Sequence, residues 1–186
     1  MFHHIANQFL NQRALMIKGI PYRILEIEMY LHSQDHLDEY THQHPDQQYS
    51  GTFYFHRASV KPVAKYRGGT FKGMDIVLGS HSVYFGVLIR ALRDPNHHDI
   101  IGPCNVVDHI LSQYGVQSIS ELTGETRLNV SNNIHDLVLI TINEPSVIYE
   151  STRIGLKGNG LYSQALYRFT YDPSAKIKEK SRFRKV

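Results

Sequence analysis

Tyr22-Arg23-Ile24-Leu25-Glu26-Ile27-Glu28-Met29-Tyr30-Leu31 alternates as a half-buried strand does. Alternate residues of a strand share a face. Glu26, Glu28 and Tyr30 are therefore predicted on one side, with Leu25, Ile27 and Met29 on the other. Two carboxylates and a phenol on one face make either a solvated surface or the floor of a polar site. Segments further along the chain bear on that choice.

Working outward, Ile5, Phe9 and Leu10 have helical spacing and predict a short helix over 3–13. Strands are expected at 14–18 and 22–30 around a turn at Gly19–Pro21. Residues 31–49 are polar and rich in His, Asp and Gln, and read as a loop. Strands follow at 51–56, 74–78 and 83–92, with a loop containing Pro62, Gly68 and Gly69 between the first two. Val106, Val107, Ile110 and Leu111 predict a helix over 103–114, and 118–122 opens another. Strands are expected at 137–142, 146–149 and 166–171. Many strands and few helices predict an α+β fold with a largely antiparallel curved sheet and a few flanking helices. One domain is expected over 1–174, followed by a basic tail over 175–186.

At 186 residues with 41% hydrophobic and 11% aromatic side chains, the chain holds enough apolar material for one sizeable core. Its one cysteine excludes an internal disulfide framework and a thiolate-rich zinc site, as in a reducing compartment. No run of about 18 apolar residues predicts a membrane span, and the N-terminus lacks the apolar stretch of a signal peptide. An intracellular monomer is the expectation. Net charge is only +3, so affinity for a polyanion must come from patches. Between Gln47 and Met74 there is no acid, whereas Arg57, Lys61, Lys65, Arg67 and Lys72 all lie there. Tyr66 and Phe71 are interleaved with them, a mixture that suits a phosphate backbone and stacked bases. A solvated loop is the plainer alternative.

Six short segments, in order, resemble the alkyladenine (3-methyladenine) DNA glycosylase family. Glu26-Ile27-Glu28-Met29-Tyr30 is similar to the strand that carries that family's catalytic glutamate. Gly51-Thr52-Phe53-Tyr54-Phe55 and Met74-Asp75-Ile76 follow at plausible spacing. Val87-Leu88-Ile89-Arg90-Ala91-Leu92 is close to the family's V-L-L-R-A-L. Gly102-Pro103 opens a helix as there, and Arg153-Ile154-Gly155-Leu156 with Leu166-Tyr167-Arg168-Phe169 resembles its closing segments. The matches span about 24–170.

The resemblance implies an N-glycosidic hydrolase that flips a damaged, alkylated or deaminated purine out of DNA and cuts it from its sugar without a cofactor. A carboxylate beside the sugar stabilises oxocarbenium charge and deprotonates the attacking water, the role implied for Glu28. Arg90 would hold the water or a phosphate and keep Glu28 ionised. Tyr30 and His56 would be the flat walls of the base pocket, with His42, among His36, His42 and His44, and Leu156 beside them. His56 stands where the family usually has Tyr. Asp75 stands where it has Asn, and a carboxylate accepts hydrogen bonds but donates none, so an altered base preference is expected. Arg57, Lys61, Lys65, Tyr66, Arg67, Lys72 and Arg153 are the candidate nucleic-acid contacts.

The 57–72 segment is longer than its counterpart. Tyr66 is the candidate for the wedge that fills the vacated base position, although the register leaves Gly68 nearer that place. Single strands, RNA or a free nucleoside would need no wedge. The histidines at 32, 36, 42 and 44 lack the helix that would make their spacing a metal site, and no metal is expected. The remaining alternative is a nucleic-acid or nucleotide binder that kept the fold and lost the reaction. If the matches are coincidence, Glu28 and Arg90 will lie far apart.

Overall fold

A computed structural model describes residues 1–186. In chain order the elements are α1 (Phe2–Gln12), β1 (Arg13–Ile17), β2 (Ile20–Ser33), β3 (His36–Leu37), β4 (Thr52–Phe55), β5 (Met74–Val77), β6 (Tyr84–Arg93), β7 (Asp99–Ile101), α2 (Pro103–Tyr114), α3 (Ile119–Thr123), β8 (Leu128–Asn129), β9 (Val138–Thr141), β10 (Tyr149–Ser151), β11 (Arg168–Thr170) and β12 (Arg184–Lys185). The strands form one sheet, β12-β10-β11-β2-β6-β5-β4-β8, with β1 and β3 also on β2, β7 on β6 and β9 on β1. Every pairing is antiparallel. The expected α+β class with a largely antiparallel sheet is what the chain adopts. None of its helices is long and apolar enough to cross a membrane.

The 14-residue strand β2 is central, because it pairs with β6 on one side and β11 on the other. Its inner face carries Ile24, Ile27, Met29 and Leu31 into a core shared with Val87, Ile89 and Leu92 of β6. Ala6, Phe9 and Leu10 of α1 and Val106, Val107, Ile110 and Leu111 of α2 complete that core. Helix α2 starts with Pro103 at its first turn, where the missing N–H costs no intrahelical bond. It stops at Gly115, whose φ of 69° is left-handed.

Strict alternation along β2 does not hold. The β2–β6 ladder slips by one residue between Ile24 and Glu26 and slips back between Glu26 and Ile27. Leu25 and Glu26 therefore both leave the inner face, as do Arg90 and Ala91 opposite them. Leu25, expected beside Ile27 and Met29, instead packs with Ala91, Ala175 and Ile177 in a small second cluster. Such an irregularity re-aims side chains, and here it turns Arg90 toward Glu26 and Glu28.

Other expectations are corrected as well. The first turn is centred on Lys18 and Gly19, with φ of 49° and 80°, which matches the twist of a tight hairpin. β2 runs on to Ser33 and turns back as β3, so part of the expected 31–49 loop is sheet. The rest is not a solvated loop, because Asp38, Thr41, His44 and Gln47 are buried. Residues 175–186, expected as a basic tail, lie against the outer face of the sheet. Ala175 and Ile177 are buried there, and β12 adds an edge strand to β10. Their polar partners explain this: the Lys178 carbonyl accepts from Arg168, and Arg184 pairs with Glu150.

Gly79 follows β5 where two backbones converge. A Cβ there would lie 1.9 Å from the Gln47 carbonyl oxygen and 2.5 Å from that of Val83. Main chain cannot yield as a side chain does. Gly79→Ala is expected to destabilise the fold by about 3 kcal/mol, measured as a lower midpoint in urea.

Candidate active site

Glu28 lies at the centre of β2, where neighbouring strands on both sides exclude water, and its side chain is 0% exposed. A buried carboxylate needs donors, and three reach it. Oε2 accepts from the Tyr30 hydroxyl at 2.8 Å and from Arg90 Nη1 at 3.0 Å, and Oε1 accepts from the Ile154 amide at 2.7 Å. Burial, then the Glu28 charge beside it, holds the Tyr30 phenol well above its ordinary range, so it stays a donor. Burial opposes the Arg90 charge, but Glu28 and Glu26 outweigh it and raise the Arg90 pKa.

A wider charge network surrounds this cluster. Glu26 Oε1 accepts from Arg90 Nε at 2.9 Å and from Arg168 Nε at 2.6 Å. Arg153 grips both oxygens of Asp38, at 2.6 and 3.1 Å, and its guanidinium sits 4.5 Å from the Tyr30 ring centroid. Glu26, Glu28 and Asp38 thus balance Arg90, Arg153 and Arg168, all six buried.

Beside it runs a polar row. Glu28 pairs with Leu88, Leu88 with Asp75, and Asp75 with Tyr54, across β2, β6, β5 and β4. Directly paired residues share a face, so Glu28 and Asp75 stand two strand spacings apart, roughly 10 Å, on the same side. Asp75 is 1% exposed. Oδ1 accepts from His56 Nε2 at 2.8 Å and Oδ2 from Gln47 Nε2 at 3.1 Å. Gly86 makes this possible, because a Cβ there would lie 2.3 Å from Asp75 Oδ2. Asp75, expected to meet the base edge itself, is therefore sealed, and what it does passes through His56. The Tyr54 hydroxyl bonds His42 Nδ1 and accepts from the Arg57 amide.

The basic candidates divide. Lys61 and Lys65 are exposed on a hairpin closed by the Arg57–Tyr66 bridge. Arg67 is half-buried, its Nε given to the Arg57 carbonyl. Lys72 pairs with Asp108. Arg57 lies 3.6 Å from the Tyr66 ring centroid, and the Tyr66 hydroxyl bonds Arg57 and Thr123. Tyr66 is thus pinned inward and is not a free wedge. Arg153, also expected at the nucleic acid, is an internal clamp. Leu156 is half-buried on a cleft of about 530 Å³ with Thr152, Gln164, Leu166 and Arg182. Its neighbour Ile154, through its amide, is what meets Glu28.

No family model matches this sequence. The chain is 36% identical over 202 aligned positions to "Uncharacterized protein L759" of Acanthamoeba polyphaga mimivirus, a match covering 100% of this chain and 92% of that protein. It belongs to the same family as that mimivirus protein. In this member of the L759 family, several site residues escaped the sequence reading. Arg168 stands alone in an apolar strand, the same signal that singled out Arg90. Asp38 and Gln47 carried none, since their segment reads as a polar loop. Nor does a sequence mark the Ile154 amide, which is main chain.

Two outcomes follow for this L759-family chain. Arg153→Ala would leave the buried Asp38 without its guanidinium partner, and is expected to cost about 3–5 kcal/mol, read by denaturant unfolding. Burial, with Arg67, His56 and His44 nearby, pulls the His42 imidazole down to about 4. Its folded value lies below the unfolded one, about 6.5, so protonation favours the unfolded chain. The stability from neutral His42 is whole above about pH 6.5 and drains away as pH falls toward 4. Burial lowers His36, His44 and His109 in the same direction. The melting temperature should drop between pH 7 and pH 5, by less in His42→Asn than in the parent chain.

Proposed function

We propose that this protein hydrolyses the N-glycosidic bond of a damaged purine in nucleic acid, with Glu28 directing the water. The supporting observation is the convergence of Tyr30 and Arg90 on one oxygen of Glu28, at 2.8 and 3.0 Å. As the base departs, the Glu28 carboxylate faces a sugar with oxocarbenium character and takes a proton from the attacking water.

Water must first reach it. The Ile154 amide covers Oε1, and Ile154 belongs to the segment between β10 and β11 that also carries Gly155, Gly158 and Gly160. Withdrawal of that segment frees one oxygen while Tyr30 and Arg90 keep the other. On the substrate side, the hairpin tip offers Val63, 92% exposed, between Lys61 and Lys65. Cations flanking an apolar tip suit phosphates flanking an opened base step, and this tip takes over the wedge role expected of Tyr66.

The enclosure of Glu28 favours a second reading, a nucleotide-binding protein whose carboxylate is structural. One comparison separates the two. Base release from oligonucleotides carrying hypoxanthine or methylated purines should fall by about 100- to 10,000-fold in Glu28→Gln, with binding of the same oligonucleotides retained. Binding without release in the parent chain would establish the second reading.

A further inference from the structure

Residues 175–186 lie on the same face of the sheet as Glu28. Ala175 and Ile177 are buried against Leu25 and Ala91, while Lys176 and Lys178, which alternate with them, are exposed. Arg168, directly paired with Glu28 across β11 and β2, donates to the Lys178 carbonyl and lies 4.5 Å from the Phe183 ring centroid. Ala175, Ile177 and Phe183 thus anchor a segment whose cations face solvent. From Lys176 to Lys185 there are six cations and one acid, Glu179. Arg182 pairs with Glu179 and Arg184 with Glu150. Lys176, Lys178, Lys180 and Lys185 are exposed and meet no acid. Lysines on an edge strand block pairing with another chain, which accounts for Lys185 on β12. It does not account for the other three, which precede that strand.

The place of this segment matches that of the basic hairpin on the other side. From β2 the sheet runs through β6 and β5 to β4, and in the other direction through β11 and β10 to β12, three strand spacings each way. Each route measures about 14 Å. The hairpin that follows β4 is held on the Glu28 face, because the Lys61 carbonyl bonds His44, whose ring stacks on Tyr54. Glu28 therefore stands midway between two cationic walls, about 29 Å apart along the sheet. Arg182 shares the cleft of about 530 Å³ with Leu156 and Leu166. Leu156 belongs to the segment whose Ile154 amide covers Glu28. The second wall thus adjoins the cover of the site.

We propose that residues 176–185 are a second phosphate-binding wall, and that the substrate is a nucleic-acid strand long enough to bridge both walls across the sheet. This rests on the reading above for nucleic acid as the ligand, and goes further in naming its length and path. Phosphates along one strand of a duplex recur about every 3.4 Å, so the span takes about eight nucleotides. A free nucleoside or a dinucleotide reaches one wall at most. Lysines on phosphates gain affinity by releasing counterions whatever the base sequence. The wall therefore fixes position and orientation and leaves the choice of base to the site. It also brings the strand against the segment between β10 and β11, where Glu28 must be uncovered.

The test is equilibrium binding of hypoxanthine-containing oligonucleotides of about 4 and about 16 nucleotides over a series of salt concentrations, with base release followed alongside. The parent chain should bind the longer one at least about tenfold more tightly. Combining Lys176→Gln, Lys178→Gln, Lys180→Gln and Lys185→Gln should lower the slope of log affinity against log salt by about 3 for the longer oligonucleotide. Arg at the same four positions should keep the parent slope. Lys18→Gln is the control, since Lys18 lies on the opposite side of the sheet, bonded to the Gln113 carbonyl of α2, and it should leave the slope unchanged. An unchanged slope in the combined Gln variant overturns the wall and leaves the hydrolase standing. An equal loss per charge from Lys18→Gln does the same, because net charge alone would then explain the effect. Equal affinity of the parent for both lengths also overturns the bridging strand. Length- and salt-dependent binding by the parent without base release keeps the wall and overturns the hydrolase reading. No binding of either oligonucleotide by the parent overturns both.

Discussion

The burial of three acids with three arginines constrains everything else in this fold. Moving an ion out of water costs several kcal/mol even after relaxation, so each of Glu26, Glu28 and Asp38 must meet its cation at hydrogen-bond distance. The partners come from β6, from β11 and from the segment after β10, far apart in sequence. Asp38 and Arg153 are 115 positions apart, and Glu26 and Arg168 are 142. The network therefore ties most of the chain to β2. It also explains why residues 175–186 are drawn in, since Arg168 finds the Lys178 carbonyl there and Phe183 lies 4.5 Å from its guanidinium.

Such a network is a costly way to gain stability, because apolar residues of the same volume often do as well. What it provides is a carboxylate in fixed geometry. Tyr30 and Arg90 hold Oε2 from two directions, while a main-chain amide in a glycine-containing segment holds Oε1. One side of Glu28 is anchored by rigid strands and the other by a connection without regular structure between β10 and β11. Connections of that kind open more readily than paired strands.

Much of this was legible in the sequence, and the rest was hidden for definite reasons. Helical spacing located α1 and α2, and alternation located β2 and β6, because long periodic elements carry their signal locally. β3, β7, β8 and β12 have two or three residues each, too few for a period to show. The site is similar in this respect. Glu28 and Tyr30 could be read together because they share one face of a strand, and Arg90 stood out as a lone cation in an apolar strand. Arg153 and Tyr66 were misplaced because a basic or aromatic side chain looks the same in sequence whether it faces solvent or an internal partner. Asp75 was read as facing a ligand, yet it is sealed by Gln47, a residue in a segment whose polarity resembles that of any surface loop.

The paired slips in the β2–β6 ladder bear on how this chain tolerates insertions and deletions. Leu25 on one strand and Arg90 on the other each stand outside the regular pairing, and the two offsets cancel. Register is thus the same before and after the irregularity, and Glu28 still faces Leu88. Losing Leu25 alone would leave Ile24, Glu26 and Ile27 in plain alternation, with Ile27 and Met29 still facing the core and one extra residue remaining on β6. Losing Arg90 instead would leave Leu92, Ala91 and Ile89 in plain alternation but take the cation away from Glu28. The site therefore constrains the length of β6 at this point more than that of β2.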